Sequence, residues 1–164
     1  MAEGYPPIPE SLPVQFRAAM RRLAASVGIV VAMGEHGPVG IAATSVTSLT
    51  VDPPAVLICV NRAASLHAHL DPTTPLSVNL LARSQQDVSA AFGGGLPHDQ
   101  RFTVGNWQTG TNGLPALVEA QANLNCVIDA MLAYGTHSIV IARVLDITLS
   151  GEVDPLIYQD GRYL

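Results

Sequence analysis

Between Gly40 and Pro54 the chain reads GIAATSVTSLTVDPP, a run in which Thr44, Ser45, Thr47, Ser48 and Thr50 alternate with small apolar residues. Side chains this short make little core. They let a ligand approach the backbone closely and supply hydroxyl groups around it. The ligand such a wall implies is flat, polar at its edges and anionic at one end. Downstream, Asn61, Arg62 and Ser65 follow an apolar stretch. A guanidinium there fits a phosphate in a fork, although Arg62 also reads as a surface arginine on a loop. His137 follows Gly135 and Thr136 at the start of an apolar segment, where an imidazole either faces a ligand or bonds local backbone.

Other chemistries find less support. No Gly-x-Gly-x-x-Gly opens a helix after a strand and no Gly-x-x-x-x-Gly-Lys-Ser/Thr occurs, which excludes the dinucleotide fold and the P-loop. His67 and His69 sit two residues apart on a short helical segment, so they point to different faces, and no third ligand lies nearby; no metal is expected. His36 and His98 fall in turns and are expected to be solvated. No nucleophile elbow is present.

The elements that must hold these residues follow from pattern. Residues 1–10, with Pro6, Pro7 and Pro9, read as an extended arm, and 11–164 as one domain. Ser11 caps an amphipathic helix carrying Leu12, Phe16, Met20, Leu23 and Val27 at helical spacing, which is expected to cover part of a core. Ser26–Met33 and Val39–Thr44 read as a hairpin around a turn at 35–38. In 45–51, Val46, Leu49 and Val51 are expected to face the core with the hydroxyls opposite. Ala55–Val60 reads as a strand apolar on both faces, and Leu76–Leu81 as another. A helix over Ser84–Phe92 is expected to start at a capping box of Ser84 and Asp87. The Gly-rich text from Gly93 to Pro115 reads as a long functional loop, followed by strands at Ala122–Met131, Ser138–Leu149 and Leu156–Tyr158. Many short strands without βαβ alternation indicate a mainly β, closed or partly closed antiparallel barrel with a few peripheral helices.

Composition narrows the setting. Only 13% of the 164 residues are charged, which suggests that much of the surface is covered, most simply by a second copy in a homodimer. The net charge is -5 and all eight basic residues are Arg, so no nucleic-acid surface is expected. The N-terminus lacks the features of a signal peptide and no apolar run approaches the roughly 20 residues that span a bilayer, so the expected location is cytoplasmic, with no membrane contact. Two cysteines, Cys59 and Cys126, could pair, but that compartment favours buried thiols.

The ordered series of the Gly40–Pro54 run, CVNRAAS at 59–65, SVNLLARSQ at 77–85, Arg101-Phe102, Trp107-x-x-Gly110, LPAL at 114–117 and Gly135-Thr136-His137 resembles the flavin reductase-like domain family. Within it the chain is similar to the small NAD(P)H-dependent reductases that supply two-component monooxygenases. The resemblance implies a homodimeric, FMN-binding Greek-key split β-barrel with a flavin groove between subunits. It implies FMN or FAD as flavin, NADH or NADPH as co-substrate, and a flavin-dependent monooxygenase reached by diffusible reduced flavin. By the same resemblance Ala43, Thr44, Ser45 and Thr47 line the flavin, Asn61, Arg62 and Ser65 lie near its phosphate, and Asn79 flanks its ring. Arg101 and Phe102 reach the flavin or nicotinamide region, and His137 contacts the nicotinamide. This chain has Thr136 where many members carry Asp. The alternative reading is a split-barrel protein that holds flavin without turnover, as a redox carrier or structural dimer.

Overall fold

A computed structural model describes residues 7–164. The first six residues of the expected arm lie outside that range; Pro7 to Pro9 are exposed and without regular structure. Helix α1 spans Leu12–Met20 and is followed by β1 at Ala25–Ser26. The hairpin expected next is present as β2, Gly28–Gly34, and β3, Gly37–Ala43. Strand β4 covers Val46–Val51 and β5 Pro54–Asn61, joined by a corner with a cis Asp52–Pro53 bond. A 3₁₀ turn at Ser65–His69 leads to β6, Pro75–Leu80. The helix expected after it is short and mixed, a 3₁₀ turn over Arg83–Gln85, then α2 at Gln86–Ala90, then a wider π turn at Ala91–Gly95.

The text between Gly93 and Pro115 is more ordered than expected. It carries a 3₁₀ helix at His98–Thr103 and β7, Trp107–Thr109, which pairs with β8, Pro115–Leu117. The chain closes with β9, Ala122–Tyr134, β10, His137–Leu149, and the small strands β11, Ile157–Gln159, and β12, Arg162–Tyr163.

Seven strands form one antiparallel sheet in the order β3-β2-β6-β9-β10-β5-β4. Residues from both ends of that order, Ala43 of β3 and the partly buried Val46 of β4, pack in one core with Val30, Val78, Ile128 and Val140. The sheet therefore curls on itself, while its edges β3 and β4 stay unpaired with each other and are linked through Thr44 and Ser45. That is a split barrel. Along β2 the alternation of period 2 serves two cores: Val30 and Ala32 point inside, and Ile29 and Val31 face Phe92, Leu117 and Leu156 on the outer side.

Four local expectations need correction. No residue of α1 is buried; Leu12, Val14, Phe16 and Met20 are 43%, 61%, 60% and 43% exposed, because the helix lies outside the barrel. In β4, Leu49 and Val51 are exposed, since this is an edge strand whose register slips between Ser48 and Thr50, breaking the alternation. Ser84 and Asp87 make no capping box; Gln85 takes the role, its Oε1 accepting from Ala82 N–H at 2.9 Å. Both cysteines are free, but only Cys126 is buried, with its thiol pushed up to about 12 by desolvation; Cys59 is partly buried.

Candidate active site

The C-terminal ends of β3 and β5 diverge around a cleft of about 520 Å³. One wall is the end of β3 and its link to β4, Ile41 to Ser45; another is the exit of β5, with Cys59, Asn61 and the turn Ala63–Ser65. Facing them are Phe92, Gly93, Gly94, His98 and Arg101, and His137 stands at the rim. The walls are held by backbone contacts. Ser45 Oγ donates to Cys59 O at 2.8 Å, tying the link between the sheet edges to β5. At the exit of β5, Ala63 N–H donates to Asn61 Oδ1 at 2.9 Å, and Arg62 N–H to Thr136 O at 2.9 Å. The turn beside the cleft and the hairpin that presents His137 are thus one unit.

Small residues dominate the lining, and a glycine just before it sets how closely β3 packs on the wall opposite. A Cβ on Gly40 would stand 2.7 Å from the Phe92 ring, so β3 approaches the aromatic trio Phe92, Phe102 and Trp107 only through a glycine. Gly94 has φ 112°, a left-handed conformation that favours glycine, and space beyond its Cα is open. No Asp or Glu lines the cleft, whereas Arg101 does. Arg101 is 7% exposed and donates through Nη1 to Gly40 O at 2.9 Å and through Nε to Leu96 O at 3.2 Å. Burial lowers its pKa from the ordinary arginine value. At the other end, Ser65 Oγ is buried without a hydrogen-bond partner. A buried hydroxyl left unpaired costs free energy that an arriving acceptor recovers.

Of the residues singled out in the sequence, Ala43, Thr44, Ser45, Asn61, Ser65, Arg101 and His137 meet at this cleft. Four do not line it. Thr47 sits on the edge strand over a second depression with Val51, Pro54 and Leu124. Arg62 is exposed and does not line the cleft, although its backbone anchors the His137 turn. Phe102 packs edge-on against Phe92 with centroids 5.0 Å apart, supporting the wall from behind. Asn79 is fully buried in a core network: it donates to Ile29 O and Ser77 Oγ and accepts from Leu117 N–H at 2.8 Å and from Asn123 Nδ2. Its amide is spent on holding β2, β6, β8 and β9 together. The sequence reading also missed lining residues. His98 is exposed as expected, yet it stands on the cleft wall, and Cys59, Gly93 and Gly94 join it; the triple glycine at 93–95 was the one local signal.

An open antiparallel barrel with a carboxylate-free cleft, a wall of small residues and a spare hydroxyl defines a split-barrel protein built for a flat ligand with an anionic end. The sequence profile described as "Flavin reductase like domain" matches residues 20–164. The FMN reductase (NADH) RutF of Variovorax paradoxus is 38% identical over 164 residues, covering 99% of this chain and 89% of that protein. Among solved structures, an NADH:FAD oxidoreductase of Streptomyces globisporus in complex with NAD and FAD fragments superposes with a TM-score of 0.86 at 27% identity, over 98% of this chain and 96% of that one. Nitrilotriacetate monooxygenase component B from Mycobacterium thermoresistibile superposes with a TM-score of 0.86 at 26% identity, over 95% and 88%. The chain belongs to the flavin reductase-like domain family.

The residues present fit a flavin. The Ser65 hydroxyl has an unused hydrogen bond that would suit a phosphate oxygen, and Ala43, Ala63, Ala64, Gly93 and Gly94 put no bulky side chain in the way of a planar ring. Among the described residues no group of three or more His, Cys, Asp and Glu is placed to hold a metal ion. No helix among them is long and apolar enough to cross a membrane.

Proposed function

We propose that this protein is a flavin reductase that draws hydride from NADH to reduce FMN or FAD, with the reduced flavin leaving for a partner monooxygenase. The observation that carries the reading is the unpartnered Ser65 hydroxyl at one end of a carboxylate-free cleft walled by Ala43, Thr44 and Ser45. The relatives named above support it: two are named for NADH with FMN or FAD, and one is a monooxygenase component.

A bound flavin supplies the two-electron acceptor for the nicotinamide hydride. The chain's own work is positioning. Ser65 and the turn before it hold the phosphate, and Arg101, with no carboxylate beside it in the lining, keeps the cleft favourable to anions. Backbone of Ala43 to Ser45 borders the ring edge, where its fixed dipoles stabilise negative charge as the flavin is reduced. His137 at the rim orients the nicotinamide carboxamide. A cleft open to solvent and lined by small residues binds flavin moderately, as release to a partner requires.

The protein works as a homodimer in the cytoplasm, as one domain over 11–164. Support for the dimer is the uncovered apolar face of α1, with Leu12, Phe16 and Met20 each more than two-fifths exposed. The test is aerobic NADH oxidation with riboflavin, FMN, FAD and no flavin. Flavin-dependent turnover above the rate with free flavin alone is expected. Absence of any acceleration rejects the enzyme, and tightly retained flavin without turnover identifies a carrier instead.

A further inference from the structure

His137 opens β10 directly after a two-residue turn, Gly135 and Thr136, whose first residue is left-handed at φ 55°. Glycine in the first position of such a hairpin turn matches the right-handed twist of the strands it joins. The turn is also pinned from outside, because Arg62 N–H donates to Thr136 O at 2.9 Å. Thr136 therefore has little freedom, and its Oγ1 lies 2.9 Å from His137 Nδ1.

A neutral imidazole has one N–H and one bare nitrogen, and the partner of one decides what the other presents. We propose that Thr136 is a positioning residue for the nicotinamide: its hydroxyl donates to His137 Nδ1, selecting the tautomer whose Nε2–H faces the cleft and donates to the carboxamide oxygen. This rests on the reductase reading above. A hydroxyl can donate to a bare Nδ1 or accept from Nδ1–H, and the donating arrangement is the one that leaves an Nε2–H free for a ligand. The other titratable or charged side chains lining the cleft are His98, Arg101 and the Cys59 thiol, with no carboxylate to accept a proton from Nε2. Arg62, which flanks the turn, adds a further cation. The Thr136 hydroxyl is the one group hydrogen-bonded to the ring among the described residues, and its proton is free to rotate toward a bare Nδ1.

The test begins without substrate. Nitrogen-15 NMR of the histidine rings in the full-length protein, assigned by the loss of one set in His137→Ala, should show Nε2–H for His137 in the wild type and in Thr136→Ser. Thr136→Val should show a mixture of tautomers. In turnover, Thr136→Val should raise KM for NADH about threefold to tenfold, the effect of one lost hydrogen bond, with KM for FMN unchanged. Thr136→Ser should restore it, and in a His137→Ala background Thr136→Val should add nothing. An Nδ1–H ring in the wild type overturns the proposal. So does a valine variant with wild-type tautomer and KM, or a serine variant that fails to rescue. If no flavin supports NADH oxidation the reductase reading fails, and the ring spectrum still decides the tautomer.

Discussion

Replacing Ser65 with alanine deletes one oxygen whose effects on the empty and loaded protein have opposite sign. In the ligand-free chain that oxygen is buried and unpaired. Its desolvation costs about 1–3 kcal/mol, which Ser65→Ala returns. For a chain of this length each kcal/mol moves Tm by about 2–4 °C, so the ligand-free variant should melt higher by at least about 2 °C. With FMN bound the same hydroxyl donates to a charged phosphate oxygen, an interaction of about 1.5–3 kcal/mol. Its loss should weaken FMN binding about tenfold to a hundredfold. Riboflavin has no phosphate and should bind both proteins alike. Thermal scans of the ligand-free proteins and fluorescence titrations with the two flavins provide the three readouts. If Ser65→Ala melts lower, or if FMN and riboflavin weaken together, the hydroxyl is part of the scaffold and the phosphate end of the cleft lies elsewhere.

Three further outcomes follow from geometry. Cys59 should be alkylated by iodoacetamide near pH 8 and protected by FMN, because it lines the cleft, whereas Cys126, buried with a pKa of about 12, carries almost no thiolate there and should stay unlabelled until unfolding; mass spectrometry distinguishes them. Phe16→Glu should shift the protein from dimer to monomer in analytical ultracentrifugation, since Phe16 is 60% exposed on the uncovered face of α1; an unchanged dimer would place the interface elsewhere. Gly40→Ala sets a methyl 2.7 Å from the Phe92 ring and should cost about 1–3 kcal/mol by urea unfolding.

What could be read in the residues alone depended on how local the signal was. The hairpin of β2 and β3 and the long strands β9 and β10 were legible because alternation and turn residues are neighbours in sequence. Ala43 to Ser45 were found for the same reason, as a run too small to be core. His137 is marked in the sequence by its Gly-Thr turn, and it lines the cleft. Asn79 was misplaced because its four partners come from residues 29, 77, 117 and 123, and no local pattern distinguishes an amide spent on the core from one facing a ligand. His98 was read as solvated because exposure and lining a cleft look identical in a turn. The periodicity of α1 showed that an apolar face exists and could not say that the barrel leaves it uncovered. Leu49 and Val51 were assigned inward because the slip between Ser48 and Thr50 is a matter of pairing with β5.

The two-residue link of Thr44 and Ser45 has a mechanical consequence. It spans the only direct connection in sequence between the two unpaired edges of the main sheet, and a single side-chain bond, Ser45 to Cys59, fastens it to β5. A ligand lying against this link and against the turn at 63–65 would add a second tie between the link and the exit of β5. The empty protein should therefore breathe along β3 and β4, with fast amide exchange there and slow exchange in β9 and β10, which are flanked on both sides over much of their length. Compliance at that joint and the shape of the cleft wall are thus set by the same few bonds.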